Sequence, residues 1–378
     1  MSIAPIARSD KSWLAEWWRT VDHGIIAGAM SLLAIGMLLS LAAGPEAAVD
    51  EGFSSMHYVQ RHALFSVGAV LVFFSASMLS EAWARRFCFV IFLLSFLLLA
   101  VIFFAGHTAG GAQRWIRVGG FSVQPSEFVK PALVVIAAWL LAQRQQFPGV
   151  PWGVITFAFF APTIGLFLLQ PDVGQAVLLT AAFVVAFFVS GLPLVWAAMF
   201  LGGSLVTGVG LFLMFPHVQN RVLAYLGLGP AGSTFQLDRA HEAIANGGLL
   251  GVGPGEGYVK ARLPDPHTDF VYSVAGEELG FLACLGLILI YTFICVKGVL
   301  GASRRADPYI RAAGTGLFFL FGFQAFINIG VNVGLLPTKG MTLPFISYGG
   351  SSMIGTALTL GLGLALTRKR AEFHPGIG

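Results

Sequence analysis

Three clusters of charged and hydroxyl side chains interrupt an otherwise apolar sequence. The densest is Lys260-Ala261-Arg262-Leu263-Pro264-Asp265-Pro266-His267-Thr268-Asp269-Phe270, with Glu277 and Glu278 following inside the next apolar run. A carboxylate half out of water can serve as a general base. Asp269 is the candidate for that role, crowded by basic, histidine and carboxylate neighbours. The plainer reading of Asp269 is a helix N-cap. A glycosidase-like pair of Asp269 with Glu277 is disfavoured. Eight helical positions would separate them by ~12 Å and ~80° around the axis, while paired-carboxylate mechanisms need roughly 5–9.5 Å. A single base fits better.

The second cluster is Arg114-Trp115-Ile116-Arg117, followed by Gln124-Pro125-Ser126-Glu127-Phe128-Val129-Lys130-Pro131. Glu127 and Lys130 are three apart and meet on one helical face. They read either as a structural pair or, with Arg114, as a basic pocket for an anionic headgroup. A guanidinium fork matches phosphate oxygens, which makes Arg114 the foremost phosphate contact. The third cluster runs from Asn328 to Ser352 and carries Lys339, Ser347, Ser351 and Ser352 among glycines and prolines. Glycine-mediated packing accounts for part of it, but not for the serines beside Lys339.

Long apolar elements must position these groups. Of 378 residues, 56% are hydrophobic and 11% charged, with a mean hydropathy of +0.80. That excludes a disordered chain and a small disulfide scaffold. Apolar runs reach the ~20 residues of a membrane span rather than the 4–8 of a buried strand. Ten such segments lie near 24–43, 63–80, 87–105, 125–142, 152–169, 173–190, 192–215, 270–296, 312–333 and 345–367. The predicted fold is therefore an all-α integral membrane protein of ten transmembrane helices. A long extracytoplasmic loop, 216–269, joins helices seven and eight.

Thirteen Lys and Arg residues fall on the side of the N-terminus. The opposite short loops hold four: Arg61, Arg114, Arg117 and Lys339. The positive-inside rule then puts both termini in the cytoplasm, as tails 1–23 and 368–378 flanking the membrane domain 24–367. Within the long loop, residues 235–244 look like an amphipathic helix lying along the membrane surface. The Gly251-Val252-Gly253-Pro254-Gly255 stretch reads as a flexible turn sooner than a phosphate cradle. Cys88, Cys284 and Cys295 lie in apolar runs and read as packing residues. No metal-ligand spacing and no basic stripe for nucleic acid occurs.

Taken in order, five blocks resemble the SEDS family of shape, elongation, division and sporulation proteins. They are Arg114-Trp115-Ile116 with Gln124-Pro125-Ser126-Glu127; Gln170-Pro171-Asp172-Val173-Gly174; Leu263-Pro264 with His267-Thr268-Asp269-Phe270; Glu277-Glu278-Leu279-Gly280; and Gly334-Leu335-Leu336-Pro337 with Ile346 to Ser352. The similarity covers about residues 20–370. The stretch from Gly330 to Pro344 is similar to the division branch, with the elongation branch as runner-up.

The resemblance implies a peptidoglycan glycosyltransferase of the bacterial inner membrane, at the division septum, that polymerises lipid II. Asp269 matches the family's essential aspartate. Arg114, Glu127, Lys130, Lys260, His267, Lys339, Ser347 and Ser351 are the substrate-binding candidates. It further implies a class B penicillin-binding protein transpeptidase and other divisome proteins as partners. A divalent cation, magnesium or manganese, is compatible with the pyrophosphate, although no cofactor is certain. The link between Lys260 and Leu263-Pro264 is a residue shorter than the common family pattern; an acidic residue often found there has no counterpart, and Arg262 lies nearby instead. A lipid II flippase is the rival from another class, since broken helices and buried charges also suit transporters. The hydropathy shows no convincing inverted repeat to support it.

Overall fold

The computed structural model describes residues 12–109, 112–191, 194–214, 216–226, 228, 235–337 and 340–369. In chain order the helices are α1 (Trp13–Thr20), α2 (His23–Asp50), α3 (His57–Ser77), α4 (Glu81–Ala105), α5 (Ser126–Ala142), α6 (Trp152–Leu169), α7 (Val173–Val189), α8 (Leu194–Met214), α9 (Pro216–Tyr225), α10 (Phe235–Gly247), α11 (Val271–Ser303), α12 (Pro308–Asn332) and α13 (Gly350–Thr367). Between α4 and α5 lie three short antiparallel strands, β1 (His107–Ala109), β2 (Ala112–Val118) and β3 (Phe121–Val123). This hairpin sheet is a local exception to the all-α expectation.

Among the described residues, eight helices are long and apolar enough to cross a membrane: α2 to α6 and α11 to α13. α7 is apolar but 17 residues long. The 21 residues of α8 fall where the seventh span was predicted.

Burial separates the bundle into centre and rim. The apolar windows of α5, α12 and α13 are 78%, 72% and 83% buried, against 28% for α4 and 22% for α6. Lipid tails are as apolar as leucine, so close packing rather than hydrophobic burial holds such helices together. Small residues on α13 allow it. A Cβ at Gly361 would meet the Phe73 carbonyl at 2.7 Å, and one at Gly355 would meet that of Glu127 at 2.8 Å.

Two elements depart from the sequence reading. The tail expected over 1–23 contains α1, capped by Ser12, whose Trp17 indole donates to Ser77 Oγ at 3.1 Å. The expected tenth span, 345–367, becomes helical only at Gly350. Residues 341–347 form a buried irregular loop held by its own hydrogen bonds, Leu343 N to Ser347 Oγ at 2.7 Å among them. Irregular backbone at that depth is tolerated because protein surrounds it.

Hydrogen bonds and an ion pair tie the loops at the two ends of the bundle. At the end that holds α1, Lys297 pairs with Asp22 at 2.8 Å, and Arg305 bonds the Thr367 carbonyl at 2.6 Å. At the other end, the 51–57 loop, the β-hairpin, the 170–172 turn, the described end of the long loop and residues 340–349 converge. Ser351 donates to the Ser122 carbonyl, and Tyr348 N donates to the His267 carbonyl.

Candidate active site

Asp269 sits in a turn just before α11, half-buried at the outer mouth. It is not the cap of that helix. The N-cap is Phe270, with no side-chain capping bond. The turn is instead fixed from two other elements. Asn328 and Asn332, one helical turn apart on α12, each donate Nδ2 to the Asp269 carbonyl at 3.0 Å. Ser347 Oγ donates to the Thr268 carbonyl at 2.5 Å. The Asp269 carboxylate faces Gly340, where a Cβ would lie 3.4 Å from Oδ2. Lys339, expected as a substrate-binding residue, lies outside the described residues.

Neither carboxylate after Asp269 is available for chemistry. Glu277 is fully buried, and Oε1 accepts from Asn246 Nδ2 and from the Tyr258 and Val259 amides at 2.8–3.0 Å. Its Oε2 accepts from Lys260 N at 2.8 Å. It holds the end of the long loop as an internal anion, a role that three backbone donors suit well. Glu278 pairs with Lys260 Nζ at 2.5 Å.

That pairing corrects the placement of Lys260. It is 2% exposed, turned inward, and also donates to the Ala42 carbonyl at 3.0 Å. Facing a pyrophosphate would leave Glu278 charged and alone in the interior, which is costly. Lys130 is likewise 1% exposed, with Glu127 Oε2 at 3.0 Å, Gln175 Oε1 at 2.6 Å and Gln324 Oε1 at 3.4 Å. Three acceptors use the three donors of an ammonium. Arg114 donates to the carbonyls of Gln170 and Pro171 and lies 3.6 Å from Asp172. The three expected anion contacts are thus engaged with protein groups. Glu127 and Lys130 follow the structural-pair reading, which ties α5 to α7 and α12.

The long loop does more than cover the mouth. At Gly280 α11 breaks, with φ +81° and ψ 179°, a conformation essentially reserved for glycine. The freed groups are taken by the loop. Val252 N and Gly253 N donate to the carbonyls of Glu277 and Glu278, while Phe281 N and Leu282 N donate to those of Gly248 and Leu249. The glycine-rich stretch is therefore a fitted plug, and the predicted continuous span 270–296 is two helices. α10 exists as predicted, but its Ala240, Ala243 and Gly247 are buried, and a Cβ at Gly247 would meet the Gly276 carbonyl of α11 at 1.9 Å.

His267 is buried, its ring stacked on Tyr58 with centroids 4.3 Å apart. Burial pushes its imidazole below the ordinary value, against the pull of Asp265 and Glu51. Ser351 accepts from Gln124 N at 3.0 Å, so it ties the hairpin exit to α13. The sequence reading gave no role to Asn328 and Asn332, although their four-residue spacing places both on one helical face. Tyr58 and Gln324 carried no local signal at all.

An apolar helical bundle, broken at one mouth around a firmly held aspartate turn, defines a multi-pass membrane protein with a site at that mouth. Comparisons make the class specific. Residues 23–372 match the FtsW/RodA/SpoVE family of cell cycle proteins. A probable peptidoglycan glycosyltransferase FtsW of Caulobacter vibrioides is 46% identical over 374 residues, covering 98% of this chain and 95% of that one. Stage V sporulation protein E of Bacillus subtilis is 33% identical, covering 89% and 94%. Among solved structures, a peptidoglycan synthase complex that coordinates polymerization and crosslinking superposes with a TM-score of 0.77 at 28% identity, over 92% and 97% of the chains. The rod shape determining protein RodA of Thermus thermophilus gives 0.67 at 27%, over 94% and 99%. The chain belongs to the SEDS family, in its FtsW division branch.

Proposed function

We propose that this protein is a peptidoglycan glycosyltransferase that polymerises lipid II into glycan strands at the outer face of the inner membrane, at the division septum. Asp269 is its general base. It takes the proton from the acceptor sugar hydroxyl as that oxygen attacks the anomeric carbon, and the polyprenyl pyrophosphate leaves. The observation that carries this reading is the turn around Asp269. Two α12 asparagines hold its main chain, so the carboxylate is presented on a fixed frame, as positioning of a catalytic group requires.

The anion partners need restating in this reading. Lys130 and Lys260 build the frame, and Arg114, whose side chain keeps 19% exposure at the mouth, is the described cation best placed to meet a phosphate. Lys339 and His267 complete the candidates. Among the described residues no group of three His, Cys, Asp or Glu side chains is arranged to hold a metal ion. A divalent cation, magnesium or manganese, would supply positive charge to the leaving pyrophosphate if it arrives with the substrate.

We further propose a class B penicillin-binding protein as partner, with other divisome proteins around it; the similar solved chain from a synthase complex that coordinates polymerization and crosslinking supports a crosslinking partner. The test is polymerisation of lipid II by the chain purified with that partner. Glycan polymer that disappears in Asp269→Asn is the expected result. Full activity in Asp269→Asn would remove the mechanism.

A further inference from the structure

A chain of stacked and edge-on aromatic rings leads away from the Asp269 turn. His267, two residues before Asp269, stacks on Tyr58 at 4.3 Å and 21°. Tyr58 meets Phe53 edge-on at 6.2 Å, and Phe53 stacks on His57 at 4.4 Å and 10°. On its other side Tyr58 meets Tyr348 at 4.9 Å. These rings come from the α2–α3 loop, the start of α3, the long loop and the loop before α13. The stack is bonded to the catalytic turn, since Tyr348 N donates to the His267 carbonyl at 2.8 Å.

Polar groups edge the rings. Glu51 Oε2 accepts from the Tyr58 hydroxyl at 2.5 Å. Asp265 is close enough to act on both Tyr58 and His267. Arg61 lies beside Tyr348, and its guanidinium is 5.8 Å from the ring of Phe121. Two features of the stack are unspent. Phe53 is 47% exposed although it sits beside the rings of His57 and Tyr58. His267 is only 7% exposed, and among the described residues its Nδ1 has no hydrogen-bond partner.

Ring faces bordered by carboxylates and a guanidinium match one class of ligand. A pyranose has an apolar face of C–H groups, which suits the negative face of an aromatic ring, and an equator of hydroxyls, which needs acceptors and donors at the rim. We propose that this cluster is a saccharide subsite, on which the exposed Phe53 ring, backed by His57 stacked on its other face, holds a pyranose unit of the glycan strand while Glu51, Asp265 and Arg61 bond its hydroxyls. The inference rests on the polymerase reading for its ligand, and the subsite adjoins Asp269 without containing it. A membrane-interface aromatic belt would use the same residue types but would have no affinity for sugar.

The probe is soluble tetra-N-acetylchitotetraose, which has neither lipid nor pyrophosphate. Its binding to the full chain in nanodiscs is read by saturation-transfer NMR, beside lipid II polymerisation by the complex with the penicillin-binding partner. Expected is binding by the wild type and by Asp269→Asn, weakened about five- to ten-fold in Phe53→Ala and His57→Ala and restored in Phe53→Trp. Phe53→Ala should also shorten the strands. Equal binding by wild type and both alanine variants, or none by the wild type, overturns the subsite even where polymer forms. Sugar binding with that mutational pattern but no polymer leaves the subsite standing and removes the polymerase reading instead.

Discussion

Asn332 reaches Asp269 with one end of its amide and α11 with the other. Its Nδ2 donates to the Asp269 carbonyl at 3.0 Å, and its Oδ1 accepts from Ser273 N at 3.1 Å and Ser273 Oγ at 2.8 Å. One fully buried side chain of α12 therefore sets both the Asp269 turn and the first turn of the helix after it. Asn332→Ala should keep the fold and lower polymerisation about ten- to a hundred-fold, short of the complete loss in Asp269→Asn. Asn332→Asp should be worse than alanine, because it turns a donor into an acceptor against two carbonyls, those of Asp269 and Asn328. Unchanged turnover in both variants would show that the frame does not matter to Asp269.

The Lys260–Glu278 pair makes an energetic prediction. Both side chains are nearly inaccessible, at 3% and 0%, and Glu278 Oε2 has no described partner. Breaking such a pair costs about 3–5 kcal/mol, whereas replacing both members by apolar residues is often neutral. Lys260→Ala should lower the detergent-solubilised melting temperature sharply, and Lys260→Met with Glu278→Leu should recover most of it. A double variant no better than the single one would mean that the pair does more than satisfy itself.

His267 gives a pH-dependent prediction whose sign follows from its burial. The folded imidazole is held below its ordinary value of 6.5, so near and below that pH the unfolded chain binds more protons. Stability then rises with pH in that window. The penalty is absent well above 6.5, grows as the pH falls through it, and levels off below the depressed folded value. His267→Gln should flatten part of the loss of thermal stability that the wild type shows between about pH 7 and 5. Parallel curves for the two proteins would count against a neutral, buried His267.

What the sequence disclosed, and what it hid, divides along range. Membrane character and the family were legible, because run length and a set of local motifs carry them. The hidden part is long-range. Nothing near Lys260 announces that its partner is Glu278, 18 positions on, nor that Lys130 meets Gln324 across 194 residues. A basic residue reads as free for a ligand until the fold supplies its counter-ion. The same reasoning explains Asp269. A carboxylate before a helix reads as a cap, and only the α12 asparagines show that the turn is held by other means.

Gly280 and Gly251 offer the sharpest test of the broken helix. A Cβ on Gly280 would lie 2.3 Å from Gly251 N, and one on Gly251 would lie 2.1 Å from the Glu278 carbonyl oxygen. Both contacts are with backbone, which cannot swing away, and both residues have φ near +80°. Alanine at either site meets conformational strain and collision together. Gly280→Ala would also favour a continuous α11, withdrawing the Glu277 and Glu278 carbonyls from Val252 N and Gly253 N and expelling the plug. The expected outcome is loss of polymerisation for either variant, with proteolytic cleavage appearing in residues 248–262 while the rest of the bundle stays protected. Gly255→Ala is the control, because no atom lies within 4 Å of a Cβ there although φ is +88°. It should cost only the local strain of about 1–3 kcal/mol and leave the plug seated. Equal protection of the loop in Gly280→Ala and the wild type would mean that the break in α11 does not hold the loop in place.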